Sequence, residues 1–317
     1  MSTKKYRSRI LATSILLPLL ATSACTDRSA TVKEPGIAKA NAGKSCRSCD
    51  MRPGSEGFDL RNKDLSRLDF TGSNFSGLDL TGIDFSGAIL RKAKFVGTTL
   101  QGANFAAAEI YEADLSLANL IGARFNDAKM DYAILSRVTA DKSSFERTTI
   151  NGLEASEGSF ANARFSDITG SEAIFDKADF SEALITDSLL EGISAVEAIF
   201  NKTKINDSNF TGANFEQADF DGAELNNVDM NRIRGREAKL ANLTINTVDF
   251  TAAHLDGVDI RFGKLTDVNF SEAELARAIF DKTEFVNAAF NNALASGALF
   301  RGAELSDSVL SFADLTG

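Results

Sequence analysis

A large apolar residue returns at every fifth position from Leu60 to Leu315, without a single insertion or deletion. Of these 52 positions, 46 hold Phe, Leu, Ile or Met, and 21 of the 24 Phe residues of the chain fall among them. A period of five matches neither the 3.6-residue turn of a helix nor the two-residue alternation of a strand. The chain is therefore an internal repeat, and the repeat outweighs local propensity in deciding the fold.

A second position of the repeat is nearly always small. Two residues before each large residue, 42 of the 52 sites hold Ala, Ser, Thr, Gly or Val. The segments TGANF (211–215) and DGAEL (221–225) show the pattern, with polar residues or Gly at the other three positions. We expect the large and the small position to point inward and the remaining three to face water.

This pattern resembles the pentapeptide-repeat family, whose motif is A(D/N)LXX, and the resemblance covers residues 58–317. It implies an all-β fold, a right-handed quadrilateral parallel β-helix in which each pentapeptide forms one side and four form a coil. Fifty-two pentapeptides would make about thirteen coils. At the spacing of paired strands, such a rod is about 60 Å long.

Six positions of the large series hold a small residue, namely Ala140, Ala155, Gly170, Ala195, Gly235 and Ala295. In five of these cases a large residue stands two positions earlier, as Val138, Leu153, Ile168, Ile193 or Ile233. Since protein interiors are close-packed, this exchange of volume predicts a continuous core rather than a ligand cavity. Only Ala293 with Ala295 lacks the exchange.

The N-terminal residues predict export. Residues 1–24 have a basic start, a short apolar run and small residues before Cys25, which together are typical of a signal peptide. The end of this segment resembles a bacterial lipobox, which implies lipidation of Cys25 and anchoring of a periplasmic protein to the outer membrane. An ordinary signal-peptidase site with simple periplasmic secretion is the alternative.

Residues 25–57 are predicted to be a tether followed by an N-terminal cap. The first part is polar and aperiodic, as flexible linkers are. Cys46 and Cys49 follow, and in an oxidising periplasm this pair favours a small disulfide loop. Free thiols, or a redox or metal role, are the alternatives.

The sequence predicts no catalytic, cofactor-binding or metal-binding residue. An enzyme needs polar groups that converge in a concave site. His254, the single histidine, stands at an outward position, and the sequence places no nucleophile or ligand cluster beside it. We therefore expect a structural or protein-interaction rod of the bacterial envelope.

One alternative comes from the family, because some cytoplasmic pentapeptide-repeat proteins mimic DNA and bind type II topoisomerases. Residues 60–317 carry 24 basic and 39 acidic side chains, a net charge of −15. A DNA duplex of about 60 Å carries about 35 negative charges. The net charge of the solenoid is therefore less than half that of DNA of the same length. The alternative requires a cytoplasmic location. The acidic surface also disfavours nucleic acid as a partner.

Apolar residues at outward positions indicate where a protein partner binds. Several of them gather near the C-terminus, namely Ile279, Leu294, Leu299, Val309 and Phe312. A final coil also presents unpaired backbone groups, as the edge strand of a sheet does. We expect a homodimer through the C-terminal coils, and the sequence does not identify the envelope protein that the rod would bind.

Overall fold

The computed structural model describes residues 45–48, 51 and 59–317. Within these residues the chain is an all-β parallel solenoid without a helix, which confirms the predicted β-helix. The predicted signal peptide, Cys25, Cys49 and most of the tether lie outside the described residues.

Successive coils are twenty residues apart. Asp64 bridges Asp84 in parallel, Asp84 bridges Asn104, and the same spacing continues to the bridge between Leu294 and Asp314. On one side the rungs widen into a nine-stranded parallel sheet, in which each strand pairs with the next one along the chain. The strands are β1 (Ser144–Glu146), β2 (Arg164–Ser166), β3 (Leu184–Thr186), β4 (Lys204–Asn209), β5 (Glu224–Asp229), β6 (Thr244–Asp249), β7 (Lys264–Asn269), β8 (Glu284–Val286) and β9 (Glu304–Ser306).

The nine-stranded sheet has fewer rungs than the thirteen coils that the repeat count predicts. The difference arises in the N-terminal part of this side. There Asp64, Asp84, Asn104 and Arg124 pair through isolated bridges that precede β1. Short straight segments between turns explain the bridges, since each pentapeptide contributes only one paired residue.

Most pentapeptides turn by the same local hydrogen bonds. The Ala88 N–H donates to the carbonyl of Phe85 over 2.9 Å, and Gly87 has a φ of 64°. This bond and the positive φ at the third residue define a type II turn. The Ser86 N–H donates to a carboxylate oxygen of Asp84 over 2.8 Å, an Asx turn. The turn explains why Asp or Asn so often precedes the large residue.

Backbone bonds between coils satisfy the rest of the main chain. The Phe85 N–H donates to the carbonyl of Asn104 in the following coil over 2.7 Å. The Asp84 N–H donates to the carbonyl of Lys63 in the preceding coil over 2.8 Å. Because buried peptide groups need partners, a coil is stable only between its neighbours.

Both inward positions of the repeat are buried as predicted from Leu65 to Ala295. Many of the large residues are Phe, and their rings stack from coil to coil. Phe105, Phe125, Phe145 and Phe165 form one such stack, with centroids 4.9, 4.9 and 4.7 Å apart and rings within 3° of parallel. The centroid spacing follows the strand spacing, so one ring fits each coil.

The exchange of volume at the small positions is confirmed, and the structure adds a second source of filling. The large residues that precede the small ones, such as Val138 and Leu153, are buried. A Cβ at Gly170 would lie 2.5 Å from Cγ1 of Ile150, and one at Gly235 would lie 2.8 Å from Cδ2 of Leu255. Side chains one coil away therefore occupy the space that these glycines leave.

The second turn residue has a positive φ throughout the solenoid, and Thr247 is strained by it. Among the described non-glycine residues with a positive φ, Thr247 is the only β-branched one, at 58°. We expect Thr247→Asn to raise stability by about 1 kcal/mol, because Asn tolerates this conformation and Thr does not. Thermal unfolding should show a midpoint higher by about 2 °C. Thr244→Asn, in the same coil, is the control, and a lower midpoint for Thr247→Asn would contradict the assignment of strain.

The Asx turns predict a loss of stability in acid. Hydrogen bonds from Ser66 lower the pKa of Asp64, and hydrogen bonds from Thr81 lower the pKa of Asp79. A carboxylate with a lowered pKa stabilises the fold above its unfolded pKa of about 4, and the contribution disappears as the pH falls through the folded value. The unfolding midpoint should therefore be level at neutral pH and fall below about pH 4.

A variant separates these turns from the other carboxylates. In Asp64→Asn/Asp79→Asn the amide oxygen still accepts the turn hydrogen bonds but does not titrate. We expect this variant to lose less stability between neutral pH and acid than the unaltered chain, as measured by thermal unfolding. An equal loss in both proteins would show that the two turns do not contribute to the acid response.

Candidate interaction surface

The core consists of packed side chains, so candidate sites lie on the surface of the solenoid. Among the described residues, no three His, Cys, Asp or Glu side chains are grouped so that they could hold a metal ion. The part of the chain that the structure describes also has no helix of the length and apolarity needed to cross a membrane.

His254 lies on the surface as predicted, and it has a partner that the sequence analysis missed. Its Nδ1 atom lies 2.7 Å from a carboxylate oxygen of Glu274, one coil further on. Both side chains are about half exposed, at 48% and 45%. The signal in the sequence is the spacing of twenty residues, which places both side chains at the same position of successive coils. We call such a set of equivalent positions along the solenoid a column.

The N-terminal cap pairs with the first coils. Cys46 is buried and disulfide-bonded. Its N–H donates to the carbonyl of Asp69 over 2.7 Å, and the N–H of Met51 donates to Asn74 over 2.9 Å. The predicted partner Cys49 lies outside the described residues, so this pairing stays a prediction, as does the lipidation of Cys25.

The five predicted interface residues lie around the C-terminal coils. Leu294, Leu299, Val309 and Phe312 are exposed, Phe312 at 90%, and Ile279 is half-buried. Ile279 pairs with Leu299 on one side of the solenoid, whereas Leu294 pairs with Asp314 and Val309 with Ala289 on two other sides. The structure thus brings them together as a ring around the rod rather than as one flat patch.

Residues of the inward register add to this apolar region. Leu305, Leu310 and Leu315 continue the series of large residues but are 38%, 36% and 48% exposed. The repeat alone predicts them to be buried, and the structure corrects that prediction, because among the described residues no further coil covers them. With Phe312 and Val309 they form an apolar surface, which we call the end face.

Ion pairs between neighbouring coils place cations beside carboxylates on the sides of the solenoid. Arg137 lies 3.3 Å from Glu157, and Lys177 lies 3.6 Å from Glu197, all in one column. In another column, the hydrogen bond from Arg147 lowers the pKa of the carboxyl of Asp127. The sequence signal for such pairs is opposite charges twenty residues apart. These exposed pairs each contribute little to stability. Their cations do, however, interrupt the negative charge of the surface.

An acidic trough runs along the corner of β4 to β7, with a volume of about 480 Å³. Its lining contains no Lys or Arg. The carboxylates accept hydrogen bonds from neighbouring amides, as Asp207 does from Asn227 over 2.8 Å. The lining carboxylates are Asp207, Asp229, Asp249 and Asp267.

The sequence matches the family model for pentapeptide repeats in eight copies. The matches include residues 56–87, 69–105, 83–120, 118–152, 198–234, 253–288 and 283–317. These matches cover more than half of the chain, and the chain belongs to the pentapeptide repeat family. Proteins of this family are typically structural or interaction proteins.

Solved structures of pentapeptide repeat proteins are similar to the chain. HetL of the cyanobacterium Nostoc, involved in the regulation of heterocyst differentiation, is 20% identical, with 87% of this chain and 93% of HetL covered and a TM-score of 0.34. QnrB1, a plasmid-mediated fluoroquinolone resistance protein, is 18% identical, and the match covers 53% of this chain and 87% of QnrB1 with a TM-score of 0.27. A thylakoid lumen protein of Arabidopsis thaliana is 30% identical, and the match covers 36% of this chain and 75% of that protein with a TM-score of 0.22. No curated protein sequence matches the chain.

Proposed function

We propose that the chain is a non-catalytic rod of the bacterial envelope that binds proteins through its surface. The observation that carries this proposal is the contrast between the packed core of the solenoid and its exposed apolar end face. The inward positions are occupied by close-packed Phe, Leu and Ala, and the end face exposes five large apolar side chains, those of Leu305, Val309, Leu310, Phe312 and Leu315. Large exposed apolar surfaces are typical of sites of association.

The envelope location rests on the N-terminal residues. Residues 1–24 have the composition of an export signal, and the residues before Cys25 resemble a lipobox. With a lipid on Cys25, the rod would be anchored to the outer membrane on its periplasmic side. The polar segment that follows Cys25 would then act as the tether to the folded part.

A second copy of the chain is the partner that best fits the end face. Two copies related by a two-fold axis would bury the same apolar residues on each side, as an isologous interface requires. Leu305, Leu310, Phe312 and Leu315 would then be covered.

DNA mimicry is the less favoured function. Cations in two of the columns, Arg137 beside Glu157 and Arg147 beside Asp127, interrupt the negative charge along those columns. A DNA mimic would need a continuous row of carboxylates at the phosphate spacing. Cell fractionation tests the alternative, since a cytoplasmic protein would favour it over the envelope rod.

The homodimer predicts the effect of charge at the end face. Val309→Lys/Phe312→Lys should weaken association at least about tenfold, because each ammonium would be buried without a partner. Sedimentation equilibrium of residues 26–317 measures the dissociation constant. Leu117→Lys is the control, since Leu117 is 53% exposed and lies in a distant coil. A monomer at high concentration, or a dimer unchanged by the double variant, would contradict the proposed interface.

The lipid tether predicts where the rod finds its partner. Crosslinking in intact envelopes, followed by capture of the chain, should recover a protein partner and place the chain in the outer-membrane fraction. Cys25→Ala should release the chain from the membrane, because the lipid attachment point is lost. Membrane retention of Cys25→Ala would refute the anchor. A chain that captures no protein in either form would indicate a passive spacer.

A further inference from the structure

The two tyrosines of the solenoid lie side by side. The chain has three tyrosines, and Tyr111 and Tyr132 are the two in the described residues. They stand 21 residues apart, and a coil of twenty residues places them at adjacent turn positions of successive coils. Their ring centroids are 5.5 Å apart at 70°, an edge-to-face pair. The repeat uses Phe in the core, so this outward aromatic pair departs from it.

Tyr111 lines a cleft of about 300 Å³ together with Arg91, Glu109, Lys129 and Asp131. Tyr132 packs edge-to-face against the ring of Tyr111 beside this cleft. Tyr111 is 37% exposed and Tyr132 54%. A Cβ at Gly152 would lie 2.7 Å from Cδ1 and Cε1 of Tyr132, so the absence of a side chain there gives the ring its place. The cleft thus combines aromatic surface with polar groups, as ligand sites do.

Hydrogen bonds fix the polar groups of the cleft. Arg91 lies 2.7 Å from a carboxylate oxygen of Glu109. Asp131 accepts hydrogen bonds from the Thr149 hydroxyl at 2.8 Å and from the side chain of Asn151 at 2.7 Å. Among the described residues, Lys129 makes no ion pair, so its ammonium group is available. The cleft offers both donors and acceptors at its rim.

The backbone beside the cleft is already paired. The carbonyl of Tyr111 accepts from the Lys92 N–H over 2.9 Å, and the Tyr132 N–H donates to the carbonyl of Asn151 over 2.8 Å. A peptide strand could not add itself here, because strand addition needs free backbone groups. A ligand of this cleft must bind to side chains.

The charges of the cleft are balanced, since Arg91 and Lys129 face Glu109 and Asp131. A balanced site does not select a strongly charged polymer. A pyranose ring fits these features, because its C–H face packs on an aromatic ring and its hydroxyl groups bind carboxylates, amides and ammonium groups. We propose that the cleft lined by Tyr111, Lys129 and Asp131, with Tyr132 packed against the ring of Tyr111, binds a neutral saccharide.

Tyrosine fluorescence provides a direct test, because the chain contains no Trp. The full chain is titrated with the β-1,4-linked tetramer of N-acetylglucosamine and with maltotetraose, and a saturable change with either supports the proposal. A tetrasaccharide that carries carboxylates is the comparison. If neither neutral tetrasaccharide gives a saturable change up to about 10 mM, or if only the charged one does, the proposal is overturned.

Variants locate the binding. By calorimetry, Tyr111→Ala and Tyr132→Ala should each weaken binding at least about tenfold, whereas Tyr132→Phe should retain it because the ring remains. Phe262→Ala is the matched control, since Phe262 is 50% exposed and has a φ of 61° at the same turn position as Tyr132. Circular dichroism establishes that each variant is folded. Unchanged binding in both alanine variants, or equal loss in Phe262→Ala, would refute the site.

Discussion

The hydrogen bond from each coil to the next governs the structure. A residue such as Phe85 bonds to Asn104, and Asp84 bonds back to Lys63, so every coil must contain twenty residues to keep its donors opposite acceptors. An inserted residue would shift the following side chains out of the inward positions and leave peptide groups unpaired. This constraint explains why the five-residue register holds without interruption from Leu60 to Leu315.

The same spacing decides the packing of the core. A repeat of one strand spacing brings identical positions directly above one another, and the rings of Phe125 and Phe145 stack at 4.9 Å as a result. Where a stack would leave a gap, as at Gly235, Leu255 of the neighbouring coil fills it. Stability thus depends on nearest neighbours, as in other solenoids.

The sequence predicts the fold well because the five-residue repeat shows which positions point into the core. It also predicts the outward position of His254 and the exposure of Leu294 and Phe312. It did not predict the exposure of Leu305 or Leu310, because the five-residue pattern alone does not tell which coil is covered. Nor did it identify the pair of His254 and Glu274, since that contact depends on the coil length rather than on the local motif.

Function in such a rod depends on columns rather than on motifs. Local sequence shows only which side chains point outward, whereas the twenty-residue coil decides which of them meet. Arg147 reaches Asp127, and Tyr132 reaches Tyr111, although no short motif contains either pair. A surface site of a pentapeptide solenoid is therefore found by comparing residues about twenty apart. A substitution at one residue of a column changes the surface offered by the coils on both sides, while the backbone bonds that hold the coils remain the same.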